Sequence, residues 1–143
     1  MDYHFTTDPA ELDLDVIHRF ITSTYWARGI SKATMARAVA GSVCFGMTTN
    51  HELVAFGRMV TDEATFAYLA DVFVLPEHRG RGLSKVMLTQ ALLLPQLQGL
   101  RRMLLATSDA HGLYQKMGFE PLPKPEIFMQ KMDLSRYDLE REQ

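Results

Sequence analysis

The sequence predicts a mixed α/β (α+β) fold, with one central sheet flanked by helices on its faces. Three observations carry this. The periodic segments fall in the order helices, three strands, helix, strand, helix, strand, which a single mixed, mostly antiparallel sheet accommodates. The three middle strands follow one another through short turns, as in an antiparallel meander. And the stretch Val72 to Lys85, V-F-V-L-P-E-H-R-G-R-G-L-S-K, runs from an apolar strand through a glycine-rich turn into a long apolar helix.

Taken in order, Tyr3 to Phe5 reads as a short first strand and Thr7-Asp8-Pro9 as a turn. From Asp15, the apolar residues Val16, Ile17, Phe20 and Ile21 recur at helical spacing and predict a helix to about Thr24. Tyr25-Trp26-Ala27-Arg28-Gly29 interrupts it. Ser31 can cap a second helix, Lys32 to Ala40, which Gly41 ends. Strands follow at Val43–Met47, Leu53–Val60 and Thr65–Val74, joined by turns at Thr48–His51 and Thr61–Ala64. Leu83 to about Leu94 is the main helix, with Leu83, Met87, Ala91 and Leu94 along one side, and Pro95 ends it. Arg102 to Ala106 is a short strand. Reached through a helix, it should lie parallel to Thr65–Val74. Ser108 or Asp109 is placed to cap a helix from Ala110 to Met117, with Gly118 as its stop. Pro121, Pro123 and Pro125 make a stiff connector to a last strand, Ile127 to Met132. The charged tail, Asp133 to Gln143, should fray.

The 143 residues suffice for one domain, taken as residues 1–143, with a real core. A net charge of −2, with acids and bases mixed along the chain, argues against a nucleic-acid-binding function. The lone cysteine, Cys44, precludes an intrachain disulfide, so a reducing, cytoplasmic setting is expected. Cys44 sits in an apolar run and reads as a buried small side chain rather than a nucleophile. Met1 to Thr7 lacks the apolar core of a signal peptide, and no apolar run approaches the ~20 residues that span a bilayer, so no membrane association is expected. No His, Cys or carboxylate cluster has metal-ligand spacing, and no metal is expected.

The turn after Val74 carries the chemistry. Strand, glycine-rich turn and helix together point backbone N–H groups into one hollow at a helix N-terminus, which attracts anions. Gly80 and Gly82 permit close backbone approach and positive φ, and Arg79 and Arg81 add forked cationic donors for phosphate. The P-loop pattern is absent, and the dinucleotide fingerprint lacks its third glycine.

The order of elements resembles that of the GNAT superfamily of acyl-CoA-dependent N-acetyltransferases. R-G-R-G-L-S (Arg79 to Ser84) fits the family's turn, Q/R-x-x-G-x-G/A, except that Ser84 replaces Gly or Ala. L-Y-Q-K-M-G-F (Leu113 to Phe119) is similar to the family's motif between its late helix and last strand. The resemblance spans roughly Leu53 to Met132.

It implies a sheet whose parallel central strands, Thr65–Val74 and Arg102–Ala106, splay apart into a cleft. It implies acetyl-CoA as co-substrate, held by backbone N–H groups from Gly80 through Arg81, Gly82 and Leu83 to Ser84, with the pantetheine arm beside Phe73 and Val74 like an added strand. A primary amine of a small molecule or peptide would attack the thioester directly. Tyr114, at the family's tyrosine position, would protonate the departing thiolate. The base is left among Tyr68, Asp71, His78, Asp109 and His111, with Asp71 the foremost candidate and a structural role its alternative. By strand alternation Tyr68, Ala70, Val72 and Val74 share one face, and Leu69, Asp71 and Phe73 the other, unless a bulge intervenes. Tyr25, Trp26 and Tyr68 are the candidate acceptor contacts, and the resemblance is compatible with a homodimer. A non-catalytic acyl-CoA-binding sensor or subunit is the alternative function, and retention of Tyr114 favours the enzyme.

Overall fold

The computed structural model describes residues 1–141. Strands β1 (His4–Thr6), β2 (Val43–Thr49), β3 (Glu52–Thr61), β4 (Phe66–Val74) and β5 (Arg102–Leu104) form one sheet in the order β1-β2-β3-β4-β5. Neighbours run antiparallel except β4 and β5, which are parallel, as a helical crossover requires. Helices α1 (Leu14–Ile21), α2 (Lys32–Ala40), α3 (Leu83–Ala91), α4 (His111–Gln115) and α5 (Arg136–Arg141) complete the fold.

Local chemistry explains the element ends. The Asp13 carboxylate accepts from the backbone N–H groups of Asp15 and Val16 and starts α1, which ends at Ile21, a turn short of the expected Thr24. Ser31 caps α2 by accepting from Thr34 N–H. Asn50 and His51 adopt φ of 49° and 63°, the two-residue left-handed turn that matches strand twist. At the next hairpin the exposed Asp62 carboxylate accepts from Ala64, Thr65 and Phe66 N–H and from the Thr65 hydroxyl, which holds it well below the usual carboxylate range. Helix α3 stops at Ala91 rather than Leu94. Neither Ser108 nor Asp109 caps α4; Thr107 Oγ1 instead accepts from Asp109 and Ala110 N–H, and Ala110 occupies the cap position.

A β-bulge decides the geometry of the centre. The β3–β4 register passes from Phe56↔Phe73 to Arg58↔Ala70, so Gly57 alone opposes Asp71 and Val72. Asp71 takes up the extra residue with φ 56°. The bulge overturns strict alternation along β4. Leu69 and Val74 pack into the same cluster, with Phe45, Met47, Met59, Met87, Leu88 and Tyr114, beneath α3 and α4. Phe73 belongs to the cluster on the opposite face, with Ile17, Ile21, Met35 and Phe56, beneath α1 and α2. There Phe20 stacks on Phe73 at 4.2 Å and 12°. Full burial of Ile17 and Ile21 contributes roughly 1.5–3 kcal/mol each.

The β4–β5 pairing ends at Tyr68↔Leu104, whereas β4 continues to Val74. Beyond that point the two strands part, and β5 is shorter than the expected Arg102–Ala106.

The C-terminal region departs most from expectation. Pro125–Ile127 is a single 3-10 turn, and the anticipated strand Ile127 to Met132 does not form. Its backbone is extended at Phe128 (φ −89°, ψ 138°) but pairs with no strand among the described residues. The tail predicted to fray carries α5 instead; Glu142 and Gln143 lie outside the described residues. No helix among the described residues is long and apolar enough to cross a membrane.

Candidate active site

Where β4 and β5 part, a cleft of about 1050 Å³ opens. Its walls are β4 from Tyr68 to Val74, the turn from His78 to Ser84, the segment Leu105–Ala110 with Leu113 and Tyr114, and the α1–α2 loop. Of the residues singled out in the sequence, it brings together Tyr25, Trp26, Tyr68, Asp71, Phe73, Val74, Arg79, Gly80, Gly82, Leu83, Ser84 and Tyr114. Arg81 is exposed and does not line the cleft, and neither does the exposed His111.

The turn has the form an anion cradle needs. Gly80 and Gly82 stand at φ 78° and 74°, and Gly82 is the residue from which α3 departs. A Cβ built at either glycine meets nothing within 4 Å, so the hollow beside them is open. The first intrahelical bond of α3 runs from Val86 N–H to the Gly82 carbonyl, leaving the N–H groups of Leu83 to Lys85 without helical partners. Arg79 folds back along the strand end, its Nε donating to the Val74 carbonyl at 2.9 Å. Residues present thus suit a diphosphate: free backbone donors, a helix N-terminus and a nearby guanidinium.

Tyr114 is buried at the cleft wall and meets Phe119 edge-on at 5.8 Å. Gly118, at φ 95°, lets Phe119 N–H reach back to the Tyr114 carbonyl, which fixes that pairing. Burial first, and then the negative charge of Asp109, raise the Tyr114 pKa above the ordinary 10. At neutral pH the side chain is a proton donor.

Asp71 is held on both oxygens. Arg58 Nε donates to Oδ2 at 2.6 Å and Trp26 Nε1 donates to Oδ1 at 2.8 Å. Arg58 also donates to Ser42 Oγ at 3.0 Å. The Asp71 side chain is 7% exposed and that of Arg58 18%, so this pair is shielded from solvent. The bulge is what turns Asp71 toward Trp26. Trp26 and Tyr25 remain 47% and 80% exposed and meet edge to face at 5.1 Å. His78 lines the cleft with its Nδ1 bonded to the Tyr3 hydroxyl at 2.9 Å.

Arg58 escaped the sequence reading. Its signal was there: it is the one charge inside the apolar run Leu53–Val60. Phe20 and Tyr137 also line the cleft. Among the described residues no group of three or more His, Cys, Asp or Glu could hold a metal ion.

Cys44 is half-buried, its thiol donating to the Val39 carbonyl. Burial, above all, pushes the thiol up to about 11. About one molecule in ten thousand then carries a thiolate at pH 7. Alkylation by iodoacetamide at pH 7 should therefore be at least about 100-fold slower than in the unfolded chain. Equal rates would mean the thiol is not protected by the fold.

The family model of the acetyltransferase (GNAT) domain matches residues 40–121, more than half of the chain. The chain belongs to the GNAT acetyltransferase family. The match takes in β2 to β5, the turn and Tyr114. A crystal structure of a Xanthomonas campestris pv. campestris protein assigned to the GNAT acetyltransferases superposes with a TM-score of 0.91. It is 48% identical and covers 96% of this chain and 97% of that one. A Gibberella zeae protein assigned as an acetyltransferase is 36% identical over 138 residues, covering 80% of this chain and 77% of its own. The glucosamine-6-phosphate N-acetyltransferase of Arabidopsis thaliana shares the fold at 14% identity, with a TM-score of 0.64 over 92% of this chain and 99% of that one.

Proposed function

We propose that this GNAT protein is an N-acetyltransferase that uses acetyl-CoA and transfers its acetyl group directly to a primary amine. The observation that carries the reading is one cleft holding both an open anion cradle at Gly80–Ser84 and a buried, protonated Tyr114. Acetyl-CoA supplies an activated thioester. The N–H groups after Gly82 bind its phosphates, helped by Arg79 and, from the exposed rim, Arg81. The edge of β4 left free near Phe73 and Val74 accepts an extended arm. The Val74 carbonyl already accepts from Arg79, so binding there exchanges or shares that bond. Tyr114 gives its proton to the departing sulfur.

Asp71 acts as a positioning residue rather than as the base. Both its oxygens accept from cationic or ring N–H donors, so it serves to orient Trp26 at the cleft mouth. Trp26 with Tyr25 offers exposed aromatic surface, and Tyr68 a wall, to the acceptor. This favours an amine bearing an apolar or aromatic group.

Asp71→Asn separates the two roles. With Asp71 as positioner, the acceptor KM should rise about tenfold while kcat stays within about threefold and its pH profile is kept. Loss of the shielded ion pair should also lower stability by roughly 3 kcal/mol. A kcat loss of about 10²-fold with the acceptor KM unchanged would restore Asp71 as the base.

Calorimetric titration with acetyl-CoA tests the binding half. Affinity should fall as salt rises, and Arg79→Ala with Arg81→Ala should flatten that dependence. An unchanged slope in the double variant would place both guanidinium groups in solvent without a role. Release of CoA thiol upon adding amines tests the catalytic half. Binding without release for any amine of a broad panel would favour the acyl-CoA-binding sensor.

A further inference from the structure

We propose that Tyr137 is a specificity-determining residue of the cleft. Carried there by the last segment of the chain, it closes the acceptor end into a slot walled by aromatic rings. Such a slot takes an arylalkylamine, an amine whose remote end is a flat aryl group. The role of Tyr137 rests on the acetyl-transfer reading, which decides that the amine enters at this end.

The path of the chain brings Tyr137 to the cleft. Phe119 packs with Tyr114 in the cluster beneath α3 and α4. Pro121, Pro123 and Pro125 then lead to Phe128, whose ring lies 5.5 Å from the Arg102 guanidinium at the start of β5. Tyr137 packs against the opposite cluster, with Ile17, Ile21 and Phe73, beneath α1 and α2. Between Phe119 and Tyr137 the chain thus passes β5, the last strand of the sheet, from one face to the other.

Local contacts then fix the arrival. Asp133 turns the chain into α5: its Oδ1 accepts from the Ser135 N–H and hydroxyl, and its Oδ2 pairs with Arg136 at 3.2 Å. Met129, Met132 and Leu134 are exposed along the way, whereas Tyr137, in the first turn of α5, turns inward. Its ring packs on the core and also lines the cleft, so one side chain is both anchor and wall.

On this face the cleft is lined by Phe20, Tyr25 and Trp26, with Tyr68 on β4. The stack on Phe73 orients Phe20, and the Nε1 bond to Asp71 orients Trp26. Arg58 and Asp71 neutralise each other there, so ring faces rather than net charge decide what fits. Such faces pair with another ring offset or edge-on, at roughly 4.5–7 Å between centroids. An aryl group held away from the reacting amine by a short linker meets that need. An amine without one leaves the faces in water.

Trp26 is the chain's only tryptophan, so its fluorescence reports on this slot without any turnover. With CoA bound, 2-phenylethylamine should quench it saturably and bind at least about tenfold more tightly than ethylamine. Tyr137→Ala should weaken 2-phenylethylamine about tenfold and leave ethylamine and CoA within about twofold. Tyr137→Phe keeps the ring and the anchor and should bind like the parent. In turnover the same loss should appear in kcat/KM for 2-phenylethylamine and not for ethylamine. Equal binding of 2-phenylethylamine by the parent and Tyr137→Ala would overturn the proposal. So would a parent that binds it no more tightly than ethylamine. If binding discriminates as expected yet no amine releases CoA thiol, the slot stands and the transfer reading fails. If amines react but Tyr137→Ala leaves their ranking unchanged, transfer stands and the role of Tyr137 fails.

Discussion

Tyr114→Phe should slow acetyl transfer by about 10²-fold or more while leaving the fold and acetyl-CoA affinity close to the parent's. The substitution keeps the ring that meets Phe119 and removes only the hydroxyl. Single-turnover kinetics at saturating acetyl-CoA is the assay, because slow product release would mask part of the loss in the steady state. The pH dependence adds a second readout. Burial and Asp109 raise the Tyr114 pKa, so the parent should lose activity only above pH 10, and the variant should lack that limb. The sign for stability follows. A group whose folded pKa is raised contributes stability that is whole below its unfolded pKa of about 10 and is lost as pH climbs through the higher folded value. The phenylalanine variant should therefore resist alkaline unfolding better than the parent. Parental single-turnover rates in a folded variant would leave Tyr114 as a packing residue alone.

Gly82→Val should abolish most acetyl-CoA binding. The reason is backbone, not space. A Cβ at this position meets nothing within 4 Å, but φ stands at 74°, where a β-branched residue is disfavoured by at least about 1–2 kcal/mol. Valine should pull φ negative and turn the first N–H groups of α3 away from the hollow. The melting temperature should fall by a few degrees, and the stabilisation that acetyl-CoA gives the native state should largely vanish. Gly82→Ala, with the milder penalty, should fall between. A valine variant with parental affinity would mean that the turn does not hold the phosphates.

The legible parts of this chain were those set by local pattern. The β2–β4 meander, the parallel β5 and the strand–turn–helix at Gly80–Ser84 follow from periodicity and glycine placement. Nearly every residue chosen from the turn and from β4 reaches the cleft, because one short stretch supplies both. What escaped depended on partners far away in the chain. The bulge at Asp71 answers to Gly57, and it reverses the faces that alternation assigned. Arg58, Asp71 and Trp26 meet only once that bulge and the α1–α2 loop are in place. The strand expected at Ile127–Met132 has the right residues, but no strand within the described chain pairs with it. Pattern reports what a segment can form; pairing decides whether it does.

Rapid mixing with acetyl-CoA, with and without an acceptor amine, tests direct transfer most plainly. Without the amine, CoA thiol should appear only at the slow rate of hydrolysis, and the intact protein mass should be unchanged. With it, thiol and acetylated amine should rise together, one for one, from the first turnover. A burst of thiol before any amine is added, with the acetyl group on the protein, would contradict direct attack; so would thiol release that no amine accelerates.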